Sequence, residues 1–148
     1  MSRQLRLGIA GLGVASTQIL PPISALSFIK ISAAADLRAD ALEKFRVDYD
    51  AATFTSVEEM CASPNVDAVY VATPNHLHAQ HVIAAAEHGK HVIVEKPMAL
   101  SIEECEAMNA AAEKNDVKLL CGHTHSFDPP IRKIREILKS GELGKLCM

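Results

Sequence analysis

The chain has 148 residues and a formal net charge of −3 at pH 7, with 49% hydrophobic and 22% charged residues. That length suits one domain with its own core, while interleaved charges and apolar runs far below roughly 18 residues exclude a nucleic-acid-binding surface and a membrane span. We expect a cytoplasmic protein, because the first residues lack a secretory signal and the four cysteines lie far apart without a CxxC pair.

Short apolar runs alternate with helical patterns along the chain. Strands are predicted over residues 5–10, 29–36, 52–54, 67–72, 91–95 and 117–121. Helices are predicted over residues 14 to about 26, 39–48, 57–61, 76–88, 101–115 and 130–140. Strands that are apolar on both faces and separated by helices favour an α/β fold with a doubly wound parallel sheet. Ligands of such sheets bind at the carboxyl ends of the strands.

The first predicted strand runs into a turn whose spacing is close to the dinucleotide-binding pattern G-x-G-x-x-G/A. The residues of this turn are Gly11, Leu12, Gly13, Val14, Ala15 and Ser16. Gly11 permits the tight turn, and Gly13 lets the backbone approach a pyrophosphate at the N-terminus of the next helix. Ser16 replaces the third small residue and is itself small. The alternative is a plain glycine turn.

Asp36 ends the second predicted strand 23 positions after Gly13, near the spacing of about 20 expected for the acid that binds the adenosine ribose. A carboxylate there repels a 2′-phosphate, since like charges about 4 Å apart repel by roughly 4 kcal/mol at an effective dielectric of about 20. We therefore expect NAD as the cofactor. Arg38, which follows Leu37, is able to cover a 2′-phosphate and so to admit NADP. The alternative is that Asp36 only caps the helix around Asp40.

The residues after the fourth strand, Thr73, Pro74 and Asn75, lie at the same predicted ligand edge. Asn75 is also a natural cap for the following helix. His76 and His78 come next, but no acid or cysteine stands at ligand spacing from them, so we predict no metal site. Three further histidines are expected to be exposed and without a role, namely His81, His88 and His91.

Glu95, Lys96 and Pro97 follow the fifth strand directly. A lysine at this edge would lie near the nicotinamide, whose positive charge favours the neutral amine and so proton transfer by Lys96. Pro97 restricts the backbone, with its peptide bond either cis or trans. The alternative is a solvated lysine before a turn proline.

With these motifs in order, the chain resembles the glucose–fructose oxidoreductase, inositol dehydrogenase and rhizopine-catabolism (Gfo/Idh/MocA) family over its whole length. The likeness rests on the glycine turn, on Asp36, on Thr73-Pro74-Asn75 with His78, and on residues 89–97. The resemblance implies hydride transfer between NAD(P) and a secondary alcohol, sugar, cyclitol or cis-dihydrodiol. It also implies that Lys96 is catalytic. The residues that it places in contact with the cofactor are those of the glycine turn, Asp36–Arg38, Thr73–Asn75, His78 and Glu95–Pro97.

The family further implies a Rossmann domain over residues 1–122. Residues 123–148 would form a connecting helix and the start of a second α/β domain that binds substrate and makes a homo-oligomer. We interpret the turn after Gly141 as leading into another strand, so we expect a piece of a longer protein.

The chain departs from the family pattern after the sixth strand, where many members carry an asparagine–arginine pair. Thr124 and His125 stand at those positions, preceded by His123. We expect these three residues to face the substrate, with His125 suited to an acidic group. The run resembles the branch containing phthalate cis-dihydrodiol dehydrogenases, and the alternative is a polar loop that caps the last helix.

Three other functions stay open. Some relatives retain NAD and use transient oxidation to cleave glycosidic bonds. A second alternative is a non-enzymatic protein that binds a dinucleotide only for regulation. A methyltransferase would share the glycine turn and the acidic strand end but gives no reason for Glu95-Lys96-Pro97.

Overall fold

The computed structural model describes residues 4–145, which contain six parallel strands in one sheet. The strands are β1 (Leu5–Ala10), β2 (Ile29–Ala35), β3 (Ala52–Phe54), β4 (Ala68–Val71), β5 (His91–Val94) and β6 (Leu119–Cys121). Their order is β3-β2-β1-β4-β5-β6, and all five neighbouring pairs are parallel. The order reverses between β1 and β4, which opens a crevice at the carboxyl ends of these two strands.

Helices connect the strands. They are α1 (Val14–Ser24), α2 (Ala39–Tyr49), α3 (Val57–Ala62), α4 (His78–Glu87), α5 (Ile102–Lys114) and α6 (Pro129–Ser140), with 3₁₀ helices over Asn75–Leu77 and Thr124–Phe127. Within residues 4–145, no helix combines the length and apolarity needed to cross a membrane.

The core has two layers, one on each face of the sheet. Ala68 and Tyr70 of β4 belong to a cluster with the apolar side of α1 and α2, whereas Val69 and Val71 belong to a second cluster with α3, α4 and α5. Successive strand residues point to opposite faces, so both faces of β4 are covered. This arrangement confirms the predicted doubly wound parallel sheet.

Four predicted strands, those that correspond to β2, β4, β5 and β6, are longer than the observed ones by one or two residues. β2 stops at Ala35, because the Asp36 carboxylate turns back to the N–H groups of Leu12 and Arg38. β6 begins only at Leu119, because the N–H of Val117 bonds to the carbonyl of Ala112 and closes the end of α5 instead of joining the sheet.

The chain also enters and leaves its helices in ways that the sequence predicts only in part. Ser101 accepts a bond from the N–H of Glu104 (3.2 Å) at the start of α5, and Gly89 has a φ of +69° just after α4. The prediction that Asn75 caps the next helix is wrong. Asn75 starts a 3₁₀ turn instead, with the N–H of Leu77 bonded to the Pro74 carbonyl at 2.8 Å, and no side chain caps either helix.

The last helix, α6, has no buried residue. Its apolar side chains Ile131, Ile134 and Leu138 are 39%, 52% and 39% exposed. Phe127, just before α6, is also exposed. An apolar face of α6 is therefore open to solvent in this chain.

Candidate functional site

The turn after β1 is held close to the loop after β4. Gly11 has a φ of +90°, and a Cβ there would lie 2.7 Å from the carbonyl oxygen of Ala72. Only glycine fits this combination of conformation and contact. Gly13 precedes α1 and differs, because no heavy atom of the other described residues, its two chain neighbours aside, lies within 4 Å of its Cβ position. Ser16 is buried, and its hydroxyl donates a hydrogen bond to the Gly13 carbonyl (2.8 Å), so a small residue packs at this position.

This turn borders a cleft of about 690 Å³ at the crevice between β1 and β4. Residues that the sequence assigned to a cofactor site line it: Gly11, Gly13, Asp36, Leu37, Arg38, Thr73 and Pro74. The pattern missed seven others. Two of them, Ala35 and Ala72, lie at the ends of β2 and β4, and the rest are Thr55, Ser56, Val57, Leu77 and His81. These five come from the start of α3 and from α4 with its preceding 3₁₀ turn, so their place depends on tertiary packing.

Both carboxylate oxygens of Asp36 accept hydrogen bonds from Leu12 and Arg38. Oδ1 accepts from the backbone N–H (2.9 Å) and Nε (3.0 Å) of Arg38, and Oδ2 accepts from the N–H of Leu12 (2.8 Å) and Nη2 of Arg38 (3.1 Å). Burial by itself raises the pKa of Asp36, but the bonds from Arg38 and Leu12 outweigh it and lower the pKa. Because α2 begins after Arg38 without a side-chain cap, the alternative that Asp36 only caps this helix is wrong.

Two histidines of α4 support the loop after β4. His81 lies with Nδ1 2.9 Å from the hydroxyl of Thr73, and burial first and His78 second lower the pKa of His81. The expectation that His81 is exposed is therefore wrong, whereas His88 and His91 are exposed. His78 and His81 are three residues apart, so a helical pattern puts them on one face, but the groups to which they are hydrogen-bonded could not be deduced from that spacing.

His78 is buried and joins two loops of the ligand edge. Its Nε2 lies 2.8 Å from the carbonyl of Thr73, and its Nδ1 lies 2.9 Å from the carbonyl of Pro97. The Lys96–Pro97 peptide bond is cis. His78 therefore connects the loop of Thr73 to the loop of Pro97. Asn75, in the first of these loops, is exposed.

Glu95 links the end of β5 to the core of the sheet. Its carboxylate accepts a short hydrogen bond from the hydroxyl of Tyr70 and another from the backbone N–H of Lys96 (3.1 Å). Burial first, and then the bond to Glu95, raise the pKa of Tyr70. The side chain of Lys96 is exposed. Tyr70 is a further residue that the sequence prediction missed, since its position in a strand marks it only as core.

The loop of His123, Thr124 and His125 begins beside the end of β5. The N–H of Gly122 bonds to the carbonyl of Val94 (2.8 Å), which brings this loop near Glu95. All three loop residues are exposed, and Nδ1 of His125 lies 2.8 Å from Oδ2 of Asp128. The side chain of Asp128 does not cap α6.

Of the remaining predicted residues, Leu12 is buried and contributes backbone groups, while Val14 is exposed beside Ala15 at the start of α1. In residues 4–145, no three or more His, Cys, Asp or Glu side chains are grouped to hold a metal ion.

Residues 5–123 match the Gfo/Idh/MocA family model, described as an oxidoreductase family with a NAD-binding Rossmann fold. The chain is 40% identical over 143 residues to 1-carboxy-3-chloro-3,4-dihydroxycyclohexa-1,5-diene dehydrogenase from Comamonas testosteroni, covering 96% of this chain and 36% of that protein.

Solved structures agree with this match. The WlbA dehydrogenase from Bordetella pertussis, in complex with NADH and UDP-GlcNAcA, has a TM-score of 0.92 and 28% identity, covering 97% of this chain and 42% of that one. KijD10, a 3-ketoreductase from Actinomadura kijaniata in complex with NADP and TDP-benzene, has a TM-score of 0.87 and 26% identity, covering 94% and 43%. The chain spans about two fifths of the length of these relatives.

Proposed function

Because this chain belongs to the Gfo/Idh/MocA oxidoreductase family, we propose that the protein transfers a hydride between NAD(P) and a hydroxyl-bearing carbon of a small molecule. The observation that carries the proposal is the cleft at the crevice between β1 and β4, with the turn of Gly11 and Gly13 and the strand-end Asp36 in its lining. In doubly wound sheets, this is where dinucleotides bind.

The residues around the cleft fit a dinucleotide. The space above Gly13 adjoins the N-terminus of α1, which has no side-chain cap and no acidic residue in its first turn. Free N–H groups and the positive end of the helix dipole would hold the pyrophosphate there. Asp36 and Arg38 would contact the adenosine ribose, and Thr73 and Pro74 would border the bound molecule. The dinucleotide, when bound, supplies the hydride acceptor or donor.

Lys96 is the group proposed to move the substrate hydroxyl proton, at its Nζ. Its backbone N–H is bonded to Glu95, whose carboxylate is held by Tyr70, and its side chain is exposed. This arrangement fixes the backbone of Lys96 and leaves the amine free to reach a substrate. A positioned proton-transfer group contributes roughly 10²–10⁴-fold to rate.

The substrate proposed is a ring diol that carries an acidic group. The support is the dihydroxylated, carboxylated ring in the name of the Comamonas relative, together with the exposed loop of His123, Thr124 and His125 near Glu95. His125 would exchange its contact with Asp128 for the substrate's acidic group.

We also propose that residues 1–122 are the Rossmann domain and that residues 123–148 begin the connection to a substrate-binding half that makes a homo-oligomer. The open apolar face of α6 supports this proposal, because a following domain would cover it. A cytoplasmic location is supported by the free thiols of Cys61, Cys105 and Cys121; Cys147 lies outside the described residues.

The test is nicotinamide reduction by the complete protein with a panel of ring diols, sugars and cyclitols. Lys96→Met is expected to lower turnover by roughly 10²–10⁴-fold, and Lys114→Met, at an exposed site on α5, is the matched control. Full activity of Lys96→Met removes this lysine from the mechanism. Bond cleavage without net nicotinamide reduction would favour the glycosidase-type alternative, and dinucleotide binding without turnover would favour a regulator.

A further inference from the structure

We propose that His78 is a buried, doubly protonated side chain that positions Lys96, and that it acts from behind the cleft without touching the dinucleotide. The inference rests on the proposed function, because Lys96 is the proposed proton-transfer group. The family resemblance implies instead a contact between His78 and the cofactor. His78 is only 1% exposed, however, and it does not contribute to the lining of the cleft.

The first step concerns the partners of the His78 ring. Nε2 lies 2.8 Å from the carbonyl oxygen of Thr73, and Nδ1 lies 2.9 Å from the carbonyl oxygen of Pro97. A carbonyl oxygen only accepts, whereas a neutral imidazole has one nitrogen that donates and one that accepts. With a single proton, one ring nitrogen would direct its lone pair at a carbonyl oxygen at hydrogen-bond distance. Both contacts are hydrogen bonds only when His78 is the imidazolium.

The second step concerns the charge of this ring. Burial and the first turn of a helix each disfavour a cation, and His78 is the first residue of α4. The two bonds to carbonyl oxygens oppose these effects, because charge-assisted hydrogen bonds are stronger than neutral ones and gain further strength away from water. The titratable neighbour on the same helix face is His81, whose pKa is lowered by burial first and by His78 second. A neutral His81 beside a charged His78 fits this direction.

The third step concerns Lys96, whose two neighbours are held by buried side chains from opposite faces of the sheet. Before it, the carboxylate of Glu95 accepts from Tyr70, which belongs to the core cluster with α1 and α2. After it, the carbonyl of Pro97 accepts from His78 of α4, a helix that packs on the other face. The backbone is thus fixed on both sides of Lys96. A misplacement of about 1 Å costs up to roughly 100-fold in rate, so the loss of His78 is expected to lower turnover.

The same ring connects the Lys96 loop to the proposed dinucleotide site. Thr73 lines the cleft, and its carbonyl accepts from His78. A dinucleotide bound against Thr73 would therefore contact a loop that shares its support with Lys96. His78 is a positioning residue and not a catalytic one, because it lies behind the groups that would meet the ligands.

The first experiment is ¹⁵N NMR of the unaltered 148-residue chain, labelled at histidine. It is run at about pH 7.5, where a histidine with the ordinary pKa of about 6.5 is mostly neutral. One-bond coupling to hydrogen shows which ring nitrogens carry a proton. Two protonated nitrogens are expected for His78, and one bare nitrogen overturns the proposal. The result does not depend on whether any variant folds.

The second experiment is a double-mutant cycle in the complete protein. His78→Gln is expected to lower kcat about tenfold or more. It should not lower kcat further in the Lys96→Met background, because a positioning residue acts through the group that it positions. His88→Gln is the matched control, since His88 is exposed just after α4 and its Nδ1 lies 2.8 Å from a carbonyl of its own helix. It is expected to leave kcat unchanged in both backgrounds.

The outcomes separate this inference from the proposed function. Equal losses of kcat from His78→Gln in the two backgrounds would show general support of the fold and overturn the positioning role. Full turnover by His78→Gln also overturns that role and leaves the proposed function standing. Full turnover by Lys96→Met removes the lysine from the proposed mechanism, and the inference is then overturned with it.

Discussion

The hydroxyl of Tyr70 donates a hydrogen bond to the carboxylate of Glu95, joining the neighbouring strands β4 and β5 at their carboxyl ends. Tyr70 is only 2% exposed, and Glu95 in turn accepts from the backbone N–H of Lys96. A buried side chain of the core therefore holds the loop that carries the proposed proton-transfer group.

Tyr70→Phe removes this donor and leaves the Glu95 carboxylate without it. A hydrogen bond to a charged group contributes about 1.5–3 kcal/mol, so the free energy of unfolding in urea is expected to fall by about that amount. Tyr49→Phe is the control, because the Tyr49 hydroxyl has no hydrogen-bond partner within residues 4–145; its expected effect is below about 0.5 kcal/mol. Similar losses of unfolding free energy in the two variants would show that the hydrogen bond from Tyr70 to Glu95 does not stabilise the fold.

Because of His81, we expect the folded chain to lose stability in mild acid. Burial and the neighbouring His78 lower the pKa of His81 from its ordinary value of 6.5. Below the ordinary pKa of histidine, the unfolded chain therefore binds more protons than the folded chain. The stability that neutral His81 contributes at higher pH is lost as the pH falls through the pKa of His81 in the folded chain.

The measurement is the free energy of unfolding between about pH 7 and about pH 5. His81→Gln keeps a polar group near Thr73 but cannot titrate, so its stability is expected to fall less over this range. His76→Gln, at an exposed position in the 3₁₀ turn before α4, should follow the parent chain. A parent and a His81→Gln variant with identical pH dependence would rule out this role for His81.

The fold and the glycine turn were predictable because their signals are local. Alternation of apolar runs and helices defines the sheet, and Gly11 stands directly after the first strand. The ends of the elements were less predictable, because they depend on tertiary bonds such as that from Val117 to Ala112.

The candidate site was predictable only in part, because its hydrogen bonds join residues that are distant in sequence. Asp36 stood out by spacing, but the return of Arg38 onto its carboxylate depends on the extended backbone of Arg38 before α2. The hydrogen-bond partner of Tyr70 depends on strand register. Tyr70 pairs with Ile93 of β5, two residues before Glu95. Periodicity identifies the face on which a side chain lies but not the group that it meets.

The cysteines are expected to differ in reactivity. Burial raises the pKa of the Cys61 thiol to about 11, with a smaller opposing effect of Lys90. At about pH 8, roughly one Cys61 in a thousand is a thiolate, which is the reactive form. Cys105 and Cys121 are partly exposed.

Iodoacetamide is therefore expected to label Cys105 and Cys121 well before Cys61, with the order read from peptide masses. In concentrated urea, Cys61 should react as quickly as the others, which controls for intrinsic differences between the peptides. Labelling of Cys61 in the folded chain at the rate of Cys105 would contradict its burial.

The two glycines of the β1–α1 turn provide a matched pair of substitutions. Gly11→Ala puts a methyl group 2.7 Å from the backbone oxygen of Ala72 at a φ of +90°, so the free energy of unfolding is expected to fall by about 2 kcal/mol or more. Apart from its two chain neighbours, the methyl group of Gly13→Ala meets no heavy atom of the described residues within 4 Å, and the backbone keeps an allowed φ of −81°. Its cost in stability is expected to stay below about 1 kcal/mol.

Gly13→Ala is instead expected to weaken dinucleotide binding at least about tenfold, because the added methyl group occupies space where the backbone would approach the pyrophosphate. Urea unfolding and calorimetric titration of both variants separate the two effects. The pair thus distinguishes a glycine required by the fold from one required by the ligand. If Gly13→Ala bound NAD⁺ and NADP⁺ as tightly as the parent chain, the pyrophosphate could not lie over Gly13, and its proposed position at the N-terminus of α1 would have to be abandoned.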